Sequence, residues 1–454
     1  MKIDVQEALE GHSQQSPQTE KIQALIDRCV ENGGGCLYFA AGTYLTGMLK
    51  LGSRVQLHLE SGARLLGCRD EAAYPILRKK PFNEKPGVIR ALLYAANAED
   101  ICISGQGTVD GSFDEALDLS TAKTLKFRPE LIYFENCQKI SIRDVNLRDS
   151  GFWCLHLMHC QTVRLEGLTI RTNPKRINTD GIDPDGCRDM IIANCDIETG
   201  DDCIVIKSTE GQVCENILIQ NCILRTHHGA LKIGTEALGP IRNINVSNCL
   251  IPAVDERRRS GTGIALFMKD GSAYENISFQ NIVMQGMHHL AVLVDNRPRY
   301  HKTDKAGSIR NLRFSGLQIS GGGRMLFEGR EESPIRGLSL SDISWSLDQY
   351  GLDHAKPMGS ARTDHDPELA NPLVQPYHLI LSNVSESSIS DFRLSEERDG
   401  SAPDRGLLYL HNVTNSAVRG ITSNLSLGDL ESTAEHTCEG NTIELQQQNV
   451  SART

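Results

Sequence analysis

Short apolar stretches with a period of two recur along most of the chain. From residue 100 onward, a unit of two apolar residues separated by any residue begins repeatedly, at Ile101, Ile140, Val163, Met190, Ile217, Ile244, Ile277, Leu312 and Leu338. A period of two is that of a β-strand, and self-similarity at intervals of about 20 to 50 residues is typical of a solenoid. Because the period excludes helical repeats, and because the spaced Leu–Asn consensus of leucine-rich repeats is absent, the pattern predicts an all-β fold, a parallel β-helix.

One segment near the amino terminus has a helical period instead. Residues 18–32 place apolar side chains on one side of a helix, at Ile22, Leu25, Ile26, Cys29 and Val30, and three glycines follow at 33–35. This spacing predicts an amphipathic helix that ends at the glycines. We expect the helix to cap the open end of the sheet, whose unpaired backbone would otherwise attract other chains.

The carboxyl-terminal part of the chain interrupts the repeat once. Residues 351–376 carry Pro357, Pro367 and Pro372 among charges and show no alternation, which indicates an excursion loop. Alternation returns at 378–381 and 407–410, so we expect the stacked strands to end near residue 425, before a polar tail over 426–454. The prediction is therefore a single β-helix domain over residues 1–454.

Asparagine–cysteine pairs follow three of the repeated strands at intervals of 27 residues, at Asn194-Cys195, Asn221-Cys222 and Asn248-Cys249. Such regular spacing predicts side chains that stack from coil to coil at an internal corner.

The amino-acid composition limits the classes of molecule that the protein could bind. The chain of 454 residues has 47 basic and 58 acidic side chains, a net charge of −11, which argues against general nucleic-acid or anionic-membrane binding. A polyanionic ligand would need a locally basic cleft. The first seven residues do not resemble a secretory signal, and the fourteen cysteines include no pair of Cys-x-x-Cys units. We therefore expect a cytoplasmic protein with reduced thiols and no zinc site.

The candidate active-site residues are acidic residues that recur at intervals of about one coil. Asn178-Thr179-Asp180, Gly200-Asp201-Asp202 and His227-His228-Gly229 follow one another at spacings of 22 and 26 residues between Asp180, Asp202 and His228. Crowded carboxylates raise one another's pKa, so that one acid can donate a proton while others hold water, as in a glycosidase. A solvated bend after Gly200 and a calcium site remain the alternatives.

These motifs resemble those of glycoside hydrolase family 28, the polygalacturonases and their relatives. The resemblance also covers Ala41-Gly42-Thr43-Tyr44, residues 57–63 and residues 105–111, and extends over roughly residues 18–300.

The resemblance implies a right-handed parallel β-helix that hydrolyses α-glycosidic bonds in pectic oligosaccharides with inversion, without a metal or cofactor. By the same resemblance, Asp201 is the general acid, Asp180 and Asp202 orient the water, and His228 supports the acid. The residues that we expect to bind substrate are Asn178, Lys207, Lys232, Lys269, Arg297 and Tyr300.

Two departures from the family pattern affect the substrate. The family's Gly-His-Gly is His227-His228-Gly229 here, and the Arg-x-Lys element that grips the sugar carboxylate falls at Ala265-Leu266-Phe267. Lys269 and the loop cations at 257–259, Arg297 and Lys302 could replace it. The alternatives are therefore a rhamnogalacturonan or other decorated-pectin hydrolase, and a non-catalytic glycan-binding β-helix.

An insertion at residues 69–91 bears on the mode of cleavage. The segment is predicted to be a long loop, and its basic residues include Arg78, Lys79, Lys80, Lys85 and Arg90. Such a loop could close one end of the groove and attract an anionic sugar end. We therefore expect an exo-acting enzyme, which also suits a cell that offers only imported fragments.

Overall fold

The computed structural model describes residues 1–9, 16–82, 85–122, 127–254, 261–287, 290–296, 306–347, 377–396, 406–423, 433–436 and 438–447. These residues divide into two compact units, Met1–Lys207 with Gln212–Thr226, and Ser208–Gly211 with His227–Thr454. The predicted excursion at 351–376, the basic run at 257–259, Arg297, Tyr300 and Lys302 lie outside the described residues. The single-domain organisation stays a prediction.

The first unit consists of parallel strands stacked in three columns. The first column contains β1 (Lys2–Asp4), β2 (Gly35–Phe39), β5 (Val55–Leu59), β10 (Glu99–Gly105), β13 (Gln138–Arg143), β16 (Gln161–Glu166), β19 (Arg188–Ala193) and β22 (Cys214–Gln220). The second contains β3 (Gly42–Thr46), β6 (Ala63–Gly67), β11 (Thr108–Asp110), β14 (Asn146–Arg148), β17 (Thr169–Arg171), β20 (Asp196–Thr199) and β23 (Ile223–Thr226). The third contains β4 (Leu49–Leu51), β9 (Ala91–Ala96), β12 (Glu130–Glu135), β15 (Leu155–Met158), β18 (Ile182–Asp185) and β21 (Ile204–Ser208).

The second unit stacks parallel strands in the same way but with longer strands. One column contains β24 (Leu231–Ala237), β27 (Ile264–Phe267), β29 (Leu290–Asp295), β31 (Arg324–Glu328), β33 (Tyr377–Ser385), β35 (Gly406–Thr414) and β37 (Thr433–His436). The other contains β25 (Ile241–Ser247) and β26 (Leu250–Ile251), followed by β28 (Ala273–Met284), β30 (Ser308–Ser320), β32 (Ile335–Leu347), β34 (Ser388–Glu396), β36 (Ala417–Ser423) and β38 (Thr442–Gln447). Pairing continues to Gln447, past residue 425, where the sequence pattern predicted the stacked strands to end.

The repeated apolar residues of the sequence are register partners in these columns. In the first unit they are Ile101, Ile140, Val163, Met190 and Ile217. In the second unit they are Ile244, Ile277, Leu312 and Leu338. All of them are buried, and burying a side chain of this size stabilises the fold by about 1.5–3 kcal/mol. The predicted all-β parallel β-helix is confirmed.

Helix α2 (Thr19–Glu31) lies within one residue of the predicted bounds at each end. It follows the single turn α1 (Val5–Ala8) and packs against β2, β4 and β5. Ile22, Ile26 and Cys29 are buried, whereas Val30 is 40% exposed, so the apolar face is narrower than predicted. A second four-residue helix, α3 (Leu119–Ala122), follows β11.

The asparagine–cysteine pairs stack, but only the cysteines point inward. Asn221 donates from its side-chain amide to the side-chain oxygen of Asn194 at 3.1 Å, and both asparagines are exposed. Their backbones adopt φ values of 56° and 57°, a left-handed conformation that asparagine tolerates well. The predicted internal corner is therefore an external row of asparagines with buried cysteines behind it.

The insertion at 69–91 is a folded hairpin rather than the predicted loop. After a short 3₁₀ turn (Glu71–Ala73), β7 (Arg78–Phe82) pairs antiparallel with β8 (Lys85–Ile89). Ile89 packs with Tyr133 and Met158 of the third column. Arg78 donates to the Met158 sulfur at 3.0 Å and lies 3.5 Å from a Glu135 carboxylate oxygen. The hairpin therefore covers the outer surface of β12 and β15.

No disulfide joins any of the fourteen cysteines, all of which belong to the described residues. Within the same described residues, no helix is both long enough and apolar enough to span a membrane. The cytoplasmic location stays a prediction.

Candidate active site

Three carboxyl groups meet at the turns that lead into the third column of the first unit. Ile182 of β18 pairs with Ile204 of β21, so Asp180 and Asp202, each two residues earlier, occupy equivalent positions on adjacent coils. Oxygens of Asp180, Asp201 and Asp202 all lie within 4.8 Å of one another. The coil spacing that the sequence suggested for Asp180 and Asp202 thus brings these acids together.

The bend that carries Asp201 depends on the residue before it. A Cβ atom on Gly200 would lie 2.0 Å from the carbonyl oxygen of Arg176, so any other residue would collide with the adjacent turn. The Gly200 amide donates to the Thr172 hydroxyl at 3.0 Å, and the Thr199 hydroxyl donates to the Asp201 carbonyl at 2.7 Å. Buried hydroxyl groups therefore replace regular strand pairing at this bend.

Asp201 is the least buried of the three acids, and both of its carboxylate oxygens accept backbone hydrogen bonds. The Asn178 amide donates to one oxygen at 2.8 Å, and the Asp202 amide donates to the other at 3.0 Å. Asn178 has a φ of 55°, so its left-handed turn aims its amide at Asp201. Hydrogen bonds of this kind stabilise the charged carboxylate.

The surroundings of Asp180, unlike those of Asp201, disfavour a charged carboxylate. Its side chain is only 5% exposed, and burial, followed by the neighbouring charges of Asp201 and Asp183, raises its pKa well above the usual value. The ammonium of Lys207 lies 3.9 Å from Asp180 and opposes this shift. The site therefore holds a carboxyl group with a raised pKa beside one whose charge is stabilised by backbone amides.

Lys207, expected to bind substrate, is buried rather than open to solvent. Its side chain is 4% exposed, and its ammonium lies 3.6 Å from Asp183 as well as 3.9 Å from Asp180. Burial raises the pKa of Asp183 to about 7, although Lys207 and His156 oppose the shift. Lys207 is therefore a partner of buried carboxyl groups.

The other predicted site residues fall in the second unit or outside the described residues. His228 is exposed, on the segment before β24. Lys232 is half-buried, with its ammonium 5.7 Å from the centre of the Phe267 ring. Lys269 is 7% exposed and pairs with Asp295 at 2.6 Å, which does not favour the expected contact with a substrate carboxylate. Arg297 and Tyr300 are outside the described residues, and the functional assignment of all these residues stays a prediction.

Sequence reasoning did not single out Arg128 and His156. Arg128 donates to the Asn178 side-chain oxygen at 3.1 Å and to the Ile177 carbonyl at 2.6 Å, and so fixes the turn that holds Asp201. Burial lowers the pKa of Arg128 to about 10. His156 is fully buried and is the register partner of Asp183. The distance of 27 residues between His156 and Asp183 is a coil length and could have revealed this pair, whereas Arg128 lies about 50 residues from its partners and leaves no periodic signal.

The acid cluster is also the kind of group that could hold a divalent cation. Calcium, however, takes about six to eight oxygen ligands, and three carboxyl groups supply only part of that number. The Lys207 ammonium beside Asp180 repels a cation, and the Asp201 oxygens already accept backbone amides. This arrangement favours proton transfer over metal binding.

Comparison with known proteins identifies relatives of this chain and structures with a similar fold. A probable polygalacturonase of Vitis vinifera is 33% identical over 183 residues, which cover 39% of this chain and 37% of the relative. The chain thus matches less than half the length of that relative. An exopolygalacturonase from Thermotoga maritima is similar in structure at a TM-score of 0.66 and 23% identity, over 76% of this chain and 87% of its own. A family 28 exopolygalacturonase from Yersinia enterocolitica gives a TM-score of 0.67 at 17% identity, over 98% and 79% of the two chains.

The family model of glycosyl hydrolases family 28 matches residues 45–346, roughly two thirds of the chain, and includes all three aspartates of the cluster. The chain belongs to glycoside hydrolase family 28.

Proposed function

We propose that the protein hydrolyses α-glycosidic bonds in galacturonate-containing oligosaccharides, releasing sugar from one chain end with inversion at the anomeric carbon. The observation that carries this proposal is the cluster of Asp180, Asp201 and Asp202 on adjacent coils, with oxygens within 4.8 Å of one another. Hydrolysis needs an acid for the leaving oxygen and a carboxyl group that holds the attacking water. A glycan-binding surface without catalysis has no need to crowd three acids.

In the proposed reaction, a water molecule held by Asp180 and Asp202 attacks the anomeric carbon while Asp201 protonates the leaving oxygen. The water supplies its oxygen to the new hemiacetal and its proton to the cluster, so the acids return to their starting state. In the free protein Asp180 holds its proton more firmly than an ordinary aspartate, whereas the backbone amides favour charge on Asp201. The proton that Asp201 donates to the leaving oxygen is thus replaced by the one that the cluster receives from the water.

The stereochemical proposal needs its own test. The carboxyl groups lie closer than the roughly 6.5–9.5 Å of most inverting enzymes and nearer to the roughly 5–5.5 Å of retaining ones. Either outcome needs an ionised carboxylate, as the base that takes the water's proton in inversion or as the nucleophile in retention, so the raised pKa of Asp180 does not decide between them. We propose inversion because the resemblance to glycoside hydrolase family 28 implies it. Proton NMR of the first product should show the β-anomer, and an α-anomer would exclude inversion.

The β7–β8 hairpin supports cleavage from one end. Arg78 contacts Met158 of β15, and β15 pairs directly with β18, the strand that follows Asp180. The hairpin therefore contacts the third column on the strand next to β18, at Met158, the register partner of Asp185. A polymer lying along this column would meet the hairpin, whereas a chain end would fit in front of it. Both structural neighbours described above are called exopolygalacturonases, but likeness at their level of identity concerns the fold.

A decorated pectin is the second candidate substrate. The positions where the family carries Arg-x-Lys are Ala265, Leu266 and Phe267, all buried, and Lys269 pairs with Asp295. These positions therefore supply no cation to bind a sugar carboxylate. This favours a rhamnogalacturonan or another decorated pectin as the substrate.

The deciding experiment measures reducing-end release from a panel of oligosaccharides, with the products separated by length. Tri- to hexagalacturonate, rhamnogalacturonan fragments and neutral galactan of equal length form the panel. We expect single-sugar release from oligogalacturonates. Release only from rhamnogalacturonan would select the second candidate, and binding without release would leave a glycan-binding protein.

A further inference from the structure

A row of buried charged groups lies behind Asp180, on strands of the third column. Lys207 on β21 has its ammonium 3.9 Å from Asp180 and 3.6 Å from Asp183. Asp183 is fully buried, and neither of its carboxylate oxygens has a hydrogen-bond partner in the described part of the chain. Its ion pair with Lys207 therefore compensates an otherwise costly buried group.

Aromatic packing fixes the position of the lysine. The Lys207 ammonium lies 4.1 Å from the centre of the Trp153 ring, and Trp153 is 4% exposed. A cation over the face of a tryptophan at this distance is attracted to the ring. Trp153 in turn meets the ring of His156 edge to face, with 4.8 Å between their centres. The lysine thus has one defined location, between two carboxyl groups and an indole.

Other buried charged residues extend the row formed by Lys207 and Asp183. His156 lies between two carboxylates, with Nδ1 3.1 Å from Glu130 and Nε2 3.5 Å from Asp185, and all three side chains are at most 3% exposed. Asp185 is the register partner of Lys207, and His156 is the register partner of Asp183. The row therefore alternates positive and negative groups across neighbouring strands.

We propose that Lys207 is a positioning residue for the hydrolysis proposed above, one that holds the Asp180 carboxyl group in place, and that Asp183 anchors Lys207. This inference rests on the proposed function. It differs from the substrate-binding role expected from the sequence, because the ammonium is buried and is already placed between two carboxyl groups. A displaced Asp180 would no longer hold the water in line with the anomeric carbon.

The test separates positioning from substrate binding through kcat and KM. Lys207→Met, Lys207→Arg and the surface control Lys139→Met, whose side chain is 57% exposed, are assayed on trigalacturonate. For Lys207→Met we expect kcat to fall by about 10²-fold, the scale of a 1 Å misplacement, with KM unchanged. Lys207→Arg should recover at least part of kcat, and the control should match the parent.

A second variant keeps the proposal testable if Lys207→Met does not fold, as judged by circular dichroism. Asp183→Asn keeps the size of the anchor and removes its charge, and should lower kcat while KM stays that of the parent. A raised KM at parental kcat in either variant would identify Lys207 as a substrate-binding cation, and parental values of both would exclude the proposed role. A parent that is inactive on every pectic oligosaccharide would instead refute the proposed function, and the inference with it.

Discussion

At the scale of single residues, the acids of the cluster have different surroundings. Asp180 is buried beside two other carboxyl groups, which raise its pKa, whereas Asp201 accepts two backbone amides. In the proposed reaction each acid has its own part: Asp201 protonates the leaving oxygen, and Asp180 and Asp202 hold the water.

We expect Asp201→Asn to lower kcat by about 10²–10⁴-fold with little change in KM, because an amide cannot donate the proton. Asp180→Asn and Asp202→Asn should be comparably damaging, since the water needs both. Steady-state assays on trigalacturonate measure this, with the exposed helix residue Asp27 changed to Asn as the control. An Asp201→Asn enzyme with more than half of parental activity would remove Asp201 from the acid role.

His156 should make stability depend on pH. Burial lowers its pKa, but Glu130 and Asp185 outweigh burial and raise it to about 9. A raised pKa stabilises the fold fully below the unfolded value of about 6.5, and this contribution is lost as pH rises through about 9. We expect the free energy of unfolding to fall on the order of 3 kcal/mol over this window.

Urea unfolding of the parent and of His156→Gln between pH 6 and 9.5 measures this effect. The window above pH 7 isolates His156 from Asp183, whose raised pKa of about 7 makes the free energy of unfolding fall as pH rises towards 7, below that window. His58→Gln serves as the matched control. If His156→Gln lost stability as steeply as the parent above pH 7, another group would be responsible.

At the scale of elements, the hairpin leaves and rejoins the coil at neighbouring positions. The Leu77 amide donates to the Ile89 carbonyl at 2.9 Å, so the two ends of the insertion lie side by side. Arg90 donates to the Tyr74 carbonyl and pairs with Glu71, which leaves fewer basic residues for substrate than the sequence suggested. The contact of Arg78 with Met158 and Glu135 is what holds the hairpin over the third column.

Replacing residues 78–89 by a short Gly-Ser turn should open the column and convert end release into internal cleavage. Early digests of polygalacturonate should then contain products of mixed length, as seen by size-resolved chromatography. Lys79→Ala, at an exposed position of the intact hairpin, should keep single-sugar release. Unchanged products from a folded deletion variant would show that the hairpin does not limit substrate position.

At the scale of the whole molecule, the sequence predicted the length of each coil but not which polar side chains are buried. Ile101, Ile140 and Val163 are register partners as their spacing predicted. The burial of Lys207 could not be predicted, because every residue of β21 is buried and the strand shows no alternation of polar and apolar residues. Contacts made across about 50 residues, such as Arg128 with Asn178, likewise leave no local pattern.

The net charge of −11 makes ionic strength a test of how the substrate is attracted. A negatively charged protein repels an anionic sugar as a whole, so binding depends on nearby cations, whose attraction is screened beyond about 8–10 Å at physiological salt. We expect KM for trigalacturonate to rise steadily as NaCl is increased from roughly 0.05 to 0.5 M, because salt screens the attraction. A methyl-esterified trisaccharide, which is neutral, is the control, and a salt-independent KM for the acid form would exclude electrostatic capture.

The site of the hairpin has an evolutionary consequence. Pairing between β4 and β9 fixes the register of the coils on both sides of the insertion, so the segment between them can lengthen or shorten without displacing Asp180, Asp201 or Asp202. Under the proposed function, the choice of which bond in a glycan is cut can therefore be inherited separately from the ability to cut it. A single insertion or deletion would then switch descendants of one ancestral gene between trimming chain ends and severing chains, with the codons of all three aspartates unchanged.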